Sequence, residues 1–231
     1  MTLSRTLFVF LFIMLVACTE TVTYSSKSRI LIMGDSLFAT NTLSGRSVGH
    51  VIETELGEEV IDRSVRGSRF LHQLPISGNL GLNVSKQFQR GPWDWVVLTG
   101  GGNDLWLGCG CSRCEITMSQ LISNNAVHGE IPRLVNRLRL AGTKVIYVGY
   151  LRSPGVKTPI DHCRDEGEEL ERRVKLMSDT DPGFHFISLA EVVPFGDRSF
   201  HQIDMIHPSI KASTVIGRRI SSLINGEGRS L

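Results

Sequence analysis

The strongest pattern in the chain is a run of four apolar residues, Ile30-Leu31-Ile32-Met33, that stops at Gly34-Asp35-Ser36-Leu37. An unbroken apolar run of this length, with β-branched members and a Gly-Asp boundary, predicts a strand covered on both faces, the environment of a parallel sheet. Further runs at residues 60–65, 95–99, 144–149 and 184–189 predict four more strands. Apolar residues fall at helical spacing over residues 48–56, 131–140, 166–177 and 209–224. In the second of these stretches Leu134, Val135 and Leu138 share one face, arginines stand opposite, and Gly142 stops the helix. Strands alternating with amphipathic helices predict an α/β fold. Its form is a three-layer α/β/α sandwich on a five-stranded parallel sheet, with right-handed connections.

The amino-terminal segment stands apart from this alternation. After Arg5, residues 7–17 are continuously apolar. That is shorter than the roughly 20 residues of a membrane-spanning helix and matches the core of a signal peptide. The run ends at Leu15-Val16-Ala17-Cys18, which resembles the lipobox of bacterial lipoproteins. The resemblance implies export, cleavage before Cys18, acylation of that cysteine and a protein tethered to a membrane of the bacterial envelope or periplasm. The expected organisation is a signal peptide over residues 1–17, a polar linker over 18–28 and one folded domain over 29–231.

Composition narrows the function classes. At 231 residues, 41% hydrophobic and 21% charged, the chain can bury one well-formed core. A net charge of +2 supplies no field for nucleic acid, and a monomer is expected. The glycine run at Gly100-Gly101-Gly102 lacks the Lys-Ser/Thr of a phosphate loop.

Chemistry gathers at the carboxyl ends of the predicted strands, the edge where open α/β sheets bind ligands. Strand one ends in Ser36, strand two leads to Gly67, and strand three runs into Gly101-Gly102-Asn103-Asp104. Beyond strand five lies Asp204-Met205-Ile206-His207-Pro208. A serine nucleophile needs a base, which His207 supplies near neutral pH. The imidazole needs a carboxylate that fixes its tautomer, and Asp204 lies three residues before it. A developing oxyanion needs preorganised donors, here the amides of Ser36 and Gly67 and the side chain of Asn103. Each residue also has an ordinary role: Ser36 as a helix N-cap, Gly67 as a left-handed turn, Asn103 as a cap, and Asp204-His207 as a surface turn before a helix opened by Pro208. Asp35 and Asp104 fit loop hydrogen bonding better than a paired acid and base. His201 is a rival base without the Asp-x-x-His spacing.

Together these segments resemble the SGNH, or GDSL, hydrolase family. Gly34-Asp35-Ser36-Leu37 is similar to its first block, Gly67 to its second, Gly101-Gly102-Asn103-Asp104 to its third and Asp204-Met205-Ile206-His207-Pro208 to its fifth. The resemblance implies a flavodoxin-like hydrolase of carboxylic esters or thioesters, working without metal or organic cofactor. It assigns Ser36 as nucleophile, His207 as base, Asp204 as its orienter, and Ser36, Gly67 and Asn103 as the oxyanion hole. The substrate is a small-molecule, lipid or glycan ester. The alternatives are an inactive domain of the same shape that binds glycan or envelope components, and an acyltransferase or deacetylase acting on polysaccharide acetyl groups.

Cys109, Cys111, Cys114 and Cys163 are an even set in a chain expected to be exported, which predicts disulfides. Three pairings are possible; the expectation joins Cys163 to one of the cluster and closes a small loop with the other two. Structural zinc on Cys-x-Cys-x-x-Cys with His162-Cys163 is the alternative. Leu105-Trp106-Leu107 is a candidate acyl-pocket wall and residues 152–164 a candidate rim. Arg66 and Arg69 are either solvated or receivers of an anionic substrate.

Overall fold

The computed structural model describes residues 28–228, so the predicted signal peptide, Cys18 and nearly all of the linker lie outside the described residues. Five strands, β1 (Ile30–Met33), β2 (Val60–Asp62), β3 (Trp95–Leu98), β4 (Lys144–Val148) and β5 (Phe184–Ile187), form one sheet. Every pairing is parallel and the order is β2-β1-β3-β4-β5. β2 is shorter than its apolar run, yet the pairing continues, because Arg63 N and Val65 N donate to Ile32 O and Gly34 O at 2.9 and 3.0 Å.

Helices α1 (Ser36–Ala39), α2 (Val48–Leu56), α3 (Glu115–Leu121), α4 (Glu130–Leu140), α5 (Arg164–Ser178) and α6 (Ile210–Gly228) cover the sheet. Because strand side chains alternate between faces, one apolar run feeds two cores. Ile30 and Ile32 pack with Val48 and Ile52 of α2 and with Ala212, Ile216 and Ile220 of α6. Leu31 and Met33 lie in the other core, with Leu121 of α3, Leu134 and Leu138 of α4, and Leu170 and Val174 of α5. Each such side chain, moved fully out of water, stabilises the fold by about 1.5–3 kcal/mol. Gly217 lets α6 approach α2 closely: a β-carbon there would lie 2.6 Å from Val51 Cβ.

α2 keeps the bounds its periodicity predicts, with Ser47 at its N-cap and Gly57 in a left-handed conformation at its end. α4, α5 and α6 extend their predicted stretches by a residue or a few. α3 and the short helical turns over residues 75–109 were not predicted. There Gly78, Gly81, Gly108 and Gly110 break any continuous period.

The disulfides are Cys109–Cys114 and Cys111–Cys163. This is the expected arrangement, a small closed loop and one bond from Cys163 to the cluster. It corrects the zinc alternative: the ligand atoms of Cys111, His162 and Cys163 lie within 4.8 Å of one another, but both sulfurs are bonded covalently and offer no thiolate.

The strand order places the functional edge. The chain leaves β1 to one side for β2 and then crosses to the other side for β3. The loops after β1 and β3 therefore diverge around a crevice at the sheet's switch point. Ser36 follows β1 and Asn103 follows β3.

Candidate active site

Gly34 turns the chain out of β1 with φ +155°, and a β-carbon there would lie 2.4 Å from Thr99 Cγ2 and 2.9 Å from Thr99 O. Only glycine fits. The peptide groups of this turn are clamped by a buried side chain. Gln87 Oε1 accepts from Gly34 N at 2.7 Å, and its Nε2 donates to Gly34 O at 2.9 Å and Gly81 O at 2.8 Å. Ser68 Oγ donates to the same Gly34 O at 2.8 Å. Asp35 then caps α1, accepting from Leu37 N at 2.9 Å. Ser36 opens that helix, and its own amide donates to no protein acceptor among the described residues. The ordinary N-cap role expected for Ser36 thus belongs to Asp35.

The turn after β2 brings Gly67 to φ +76°. Asn103 Nδ2 donates to Ser68 O at 3.1 Å, which sets the side-chain amide of the β3 loop beside the Gly67–Ser68 turn. Asp104 anchors the same loop pair, accepting from Phe70 N at 3.0 Å and Leu71 N at 2.8 Å. Burial pushes its carboxyl up to about 6, against the pull of those two amides. Asp104 is therefore a loop anchor, as its residue type suggested. Gly67 is exposed and is not among the residues that line the cavity shared by Ser36, Asn103 and His207.

The third segment is nearly self-contained. Asp204 Oδ2 meets His207 Nδ1 at 2.5 Å, while Oδ1 accepts from Ile206 N and His207 N, each at 3.0 Å. Met205 takes φ +56°, a left-handed conformation that non-glycine residues rarely adopt, and so folds the carboxylate back onto the ring. Partial burial alone would raise the Asp204 carboxyl, but hydrogen bonds from the His207 ring and the two amides hold it down at about 2. Gln202 N donates to His207 O at 2.8 Å, and Asn41 Nδ2 donates to Pro208 O at 3.2 Å, docking this loop against the segment after α1.

Ser36, Asn103 and His207 all line one cavity of about 160 Å³. No hydrogen bond joins Ser36 to His207 among the described residues; in unliganded sites this contact is often long and tightens with substrate. Leu105 and Trp106 form an apolar wall, whereas Leu107 points away and is exposed. The predicted rim is present: Arg152, Thr158 and Arg164 border the cavity. Arg66 and Arg69 do not; they bond Thr40 Oγ1 and approach His72 Nδ1 instead. His201 reaches the cavity wall, but its Nδ1 is buried without a partner among the described residues and burial lowers its pKa. Among the described residues no carboxylate is hydrogen-bonded to that nitrogen, as Asp204 is to His207.

One side chain at the site escaped the sequence reading. Tyr150, just beyond β4, bonds both Asp35 in the turn that carries Ser36 and Gly102 in the loop that carries Asn103. Its position at a strand's carboxyl end was the available signal.

With the geometry in place, a comparison of the chain with family models matches the GDSL-like Lipase/Acylhydrolase family over residues 32–213. No curated protein sequence matches. Among solved structures, the fold is similar to a carbohydrate acetylesterase from Sinorhizobium meliloti, at 18% identity and TM-score 0.56, covering 87% of this chain and 99% of that one. It is similar to an aryl esterase of M. smegmatis in its inhibitor-bound form, at 17% identity and TM-score 0.58, with coverage of 87% and 99%. A family two carbohydrate esterase from Clostridium thermocellum, solved in complex with cellohexaose, matches at 16% identity and TM-score 0.57, covering 89% of this chain and 65% of that one.

Proposed function

Because the chain belongs to the GDSL-like lipase/acylhydrolase family, we propose that it is a serine esterase that works through an acyl-enzyme on Ser36. The observation that carries this reading is that His207, paired with Asp204, lines the same cavity as Ser36 and Asn103. Ser36 Oγ attacks the carbonyl carbon of the ester while His207 Nε2 takes the hydroxyl proton. Asp204, ionised at any working pH, stabilises the imidazolium. The oxyanion meets the amides of Ser36 and Gly67 and the Nδ2 of Asn103. Collapse breaks the bond to the leaving alcohol or thiol, which takes the proton back from His207. Water, deprotonated by the same ring, then attacks the acyl-enzyme, releasing the carboxylic acid and restoring Ser36.

A cavity of about 160 Å³ beside Leu105 and Trp106 suits a short acyl group, so acetyl esters are the first substrates to try. The likeness to two carbohydrate esterases supports acetylated glycans among them. A fluorophosphonate probe, which reacts only with an activated serine, is the direct test. Stoichiometric labelling at Ser36, abolished in Ser36→Ala, supports the reading; an unlabelled, folded protein refutes it and leaves a binding domain. We propose further that the mature protein begins at an acylated Cys18 and is exported to the cell envelope, which the mass of its amino-terminal peptide tests.

A further inference from the structure

The hydrogen bonds with Val65 N, Gln87 and Ser68 that hold the nucleophile turn all act on the backbone of Gly34. A further link is different in kind. Tyr150 OH donates to Asp35 Oδ2 at 2.5 Å and accepts from Gly102 N at 3.1 Å. Asp35 immediately precedes Ser36, and Gly102 immediately precedes Asn103. One hydroxyl therefore bridges the residue before the nucleophile and the residue before the oxyanion amide. The ring is seated just as closely: a β-carbon on Gly102 would lie 2.8 Å from Tyr150 Cζ. The tyrosine is itself fixed from behind. Its backbone amide donates to Glu171 Oε1 at 2.8 Å, and Arg152 grips that carboxylate with both terminal nitrogens at 3.0 and 2.9 Å.

Asp35 is 1% exposed and its Oδ1 is already committed to Leu37 N. Without the phenol, the buried Oδ2 oxygen of Asp35 would lose its partner and the part-buried Gly102 amide would lose its acceptor. Either would relieve this by shifting its loop, and each loop carries a reacting group. Displacements of about 1 Å in such a constellation cost on the order of a hundredfold in rate.

Resting on the esterase reading above, we infer that Tyr150 is a positioning residue that sets the distance between Ser36 and Asn103. It acts through Asp35 and Gly102 rather than on the substrate. The inference requires the loss to fall on kcat, because a bound ester already in the cavity would meet a misplaced nucleophile and oxyanion hole.

The test is Tyr150→Phe, which keeps the ring and removes only the bridge, compared with Asp35→Asn and the double variant on a short activated ester. Rates are expressed per serine titrated by a fluorophosphonate, so that unfolded molecules do not count. The expected result is a 10- to 100-fold fall in kcat for Tyr150→Phe with KM within about twofold, on the scale of such misplacements. The double variant should lose no more than the worse single variant, because both single changes act on one bridge, Tyr150→Phe by removing its hydroxyl and Asp35→Asn by removing its charged acceptor. A kcat within threefold of wild type, a rise in KM alone, or losses that multiply in the double variant overturns the inference. If the wild-type protein itself fails to label at Ser36, the esterase reading has failed instead, and the two failures are thereby distinguished.

Discussion

The two halves of the site are built in opposite ways. The half that would attack and hold the oxyanion is assembled from three distant loops whose anchors, Asp35, Gln87 and Asp104, are buried. Gln87 crosses 53 residues to clamp Gly34, Asp104 crosses more than 30 to hold Phe70 and Leu71, and Tyr150 crosses 115 to reach Asp35. The half that would move the proton is one short loop, in which three hydrogen bonds span two or three residues and the Asp204 side chain is 40% exposed. Donors aimed at a charge that exists only in the transition state must be fixed in advance, since reorganising them during the reaction would forfeit the gain. An imidazole that gives and takes a proton needs only a fixed tautomer and one carboxylate, which a tight turn supplies. The carboxylates record the same difference: burial raises Asp104 to about 6, whereas hydrogen bonds from the His207 ring and nearby amides offset burial and leave Asp204 at about 2.

The largest effects should come from removing a member of either half. Ser36→Ala should lower hydrolysis of an activated short ester by at least about a thousandfold, and His207→Ala comparably, because such residues act as a unit. A much smaller loss for His207→Ala, measured as kcat/KM, would separate the halves and free the serine from its base. Asn103→Ala should reduce kcat by roughly a hundredfold to a thousandfold with KM little changed, the cost of one oxyanion donor. A rise in KM alone would make Asn103 a substrate-binding residue.

Gln87→Leu tests the buried anchoring of the first half without touching any reacting group. It leaves Gly34 N and Gly81 O unpaired, at about 1–3 kcal/mol each. Denaturant unfolding should register a loss of roughly 2–5 kcal/mol, whereas a change of equal volume at exposed Ile203, next to the proton-transfer loop, should register almost none.

The smallest effects lie in the pH dependence of stability. The Asp104 carboxyl is raised on folding, so the folded state holds its proton more tightly and stability falls as pH rises from about 4 to about 6. The Asp204 carboxyl is depressed, so its contribution is present above pH 3.8 and is lost as pH falls toward 2. Melting curves of Asp104→Asn should lack the first slope, and those of Asp204→Asn should lack the second. If both variants keep the wild-type profile, the contrast between the halves is not electrostatic.

The contrast also explains what could be read in advance. The dyad was legible because its spacing is its geometry: the two residues between Asp204 and His207 suffice to close the turn. Ser36 and Asn103 were legible because each ends a strand whose apolar run is unmistakable, and parallel strands deliver their ends to one edge. β1 to β5 and four helices followed from periodicity for the same reason. α3 was not legible, since glycines and cysteines interrupt the pattern around it, and its place is fixed by packing of Met118 and Leu121 and by the disulfide loop beside it.

By itself, then, the amino-acid order determined the five strands and most of the helices, which edge of the sheet holds the cavity, and which serine and histidine line it. These are local matters, set by side-chain period, turn stereochemistry and short spacings. Only the folded chain decided that Asp35 rather than Ser36 caps the first helix, that Cys111 is the partner of Cys163, and that Gln87 and Tyr150 hold the turn that carries Ser36. Those choices depend on which groups come within 3 Å across tens of residues, and hydrogen bonds at that range are selected by burial in the assembled core, which no window of sequence contains.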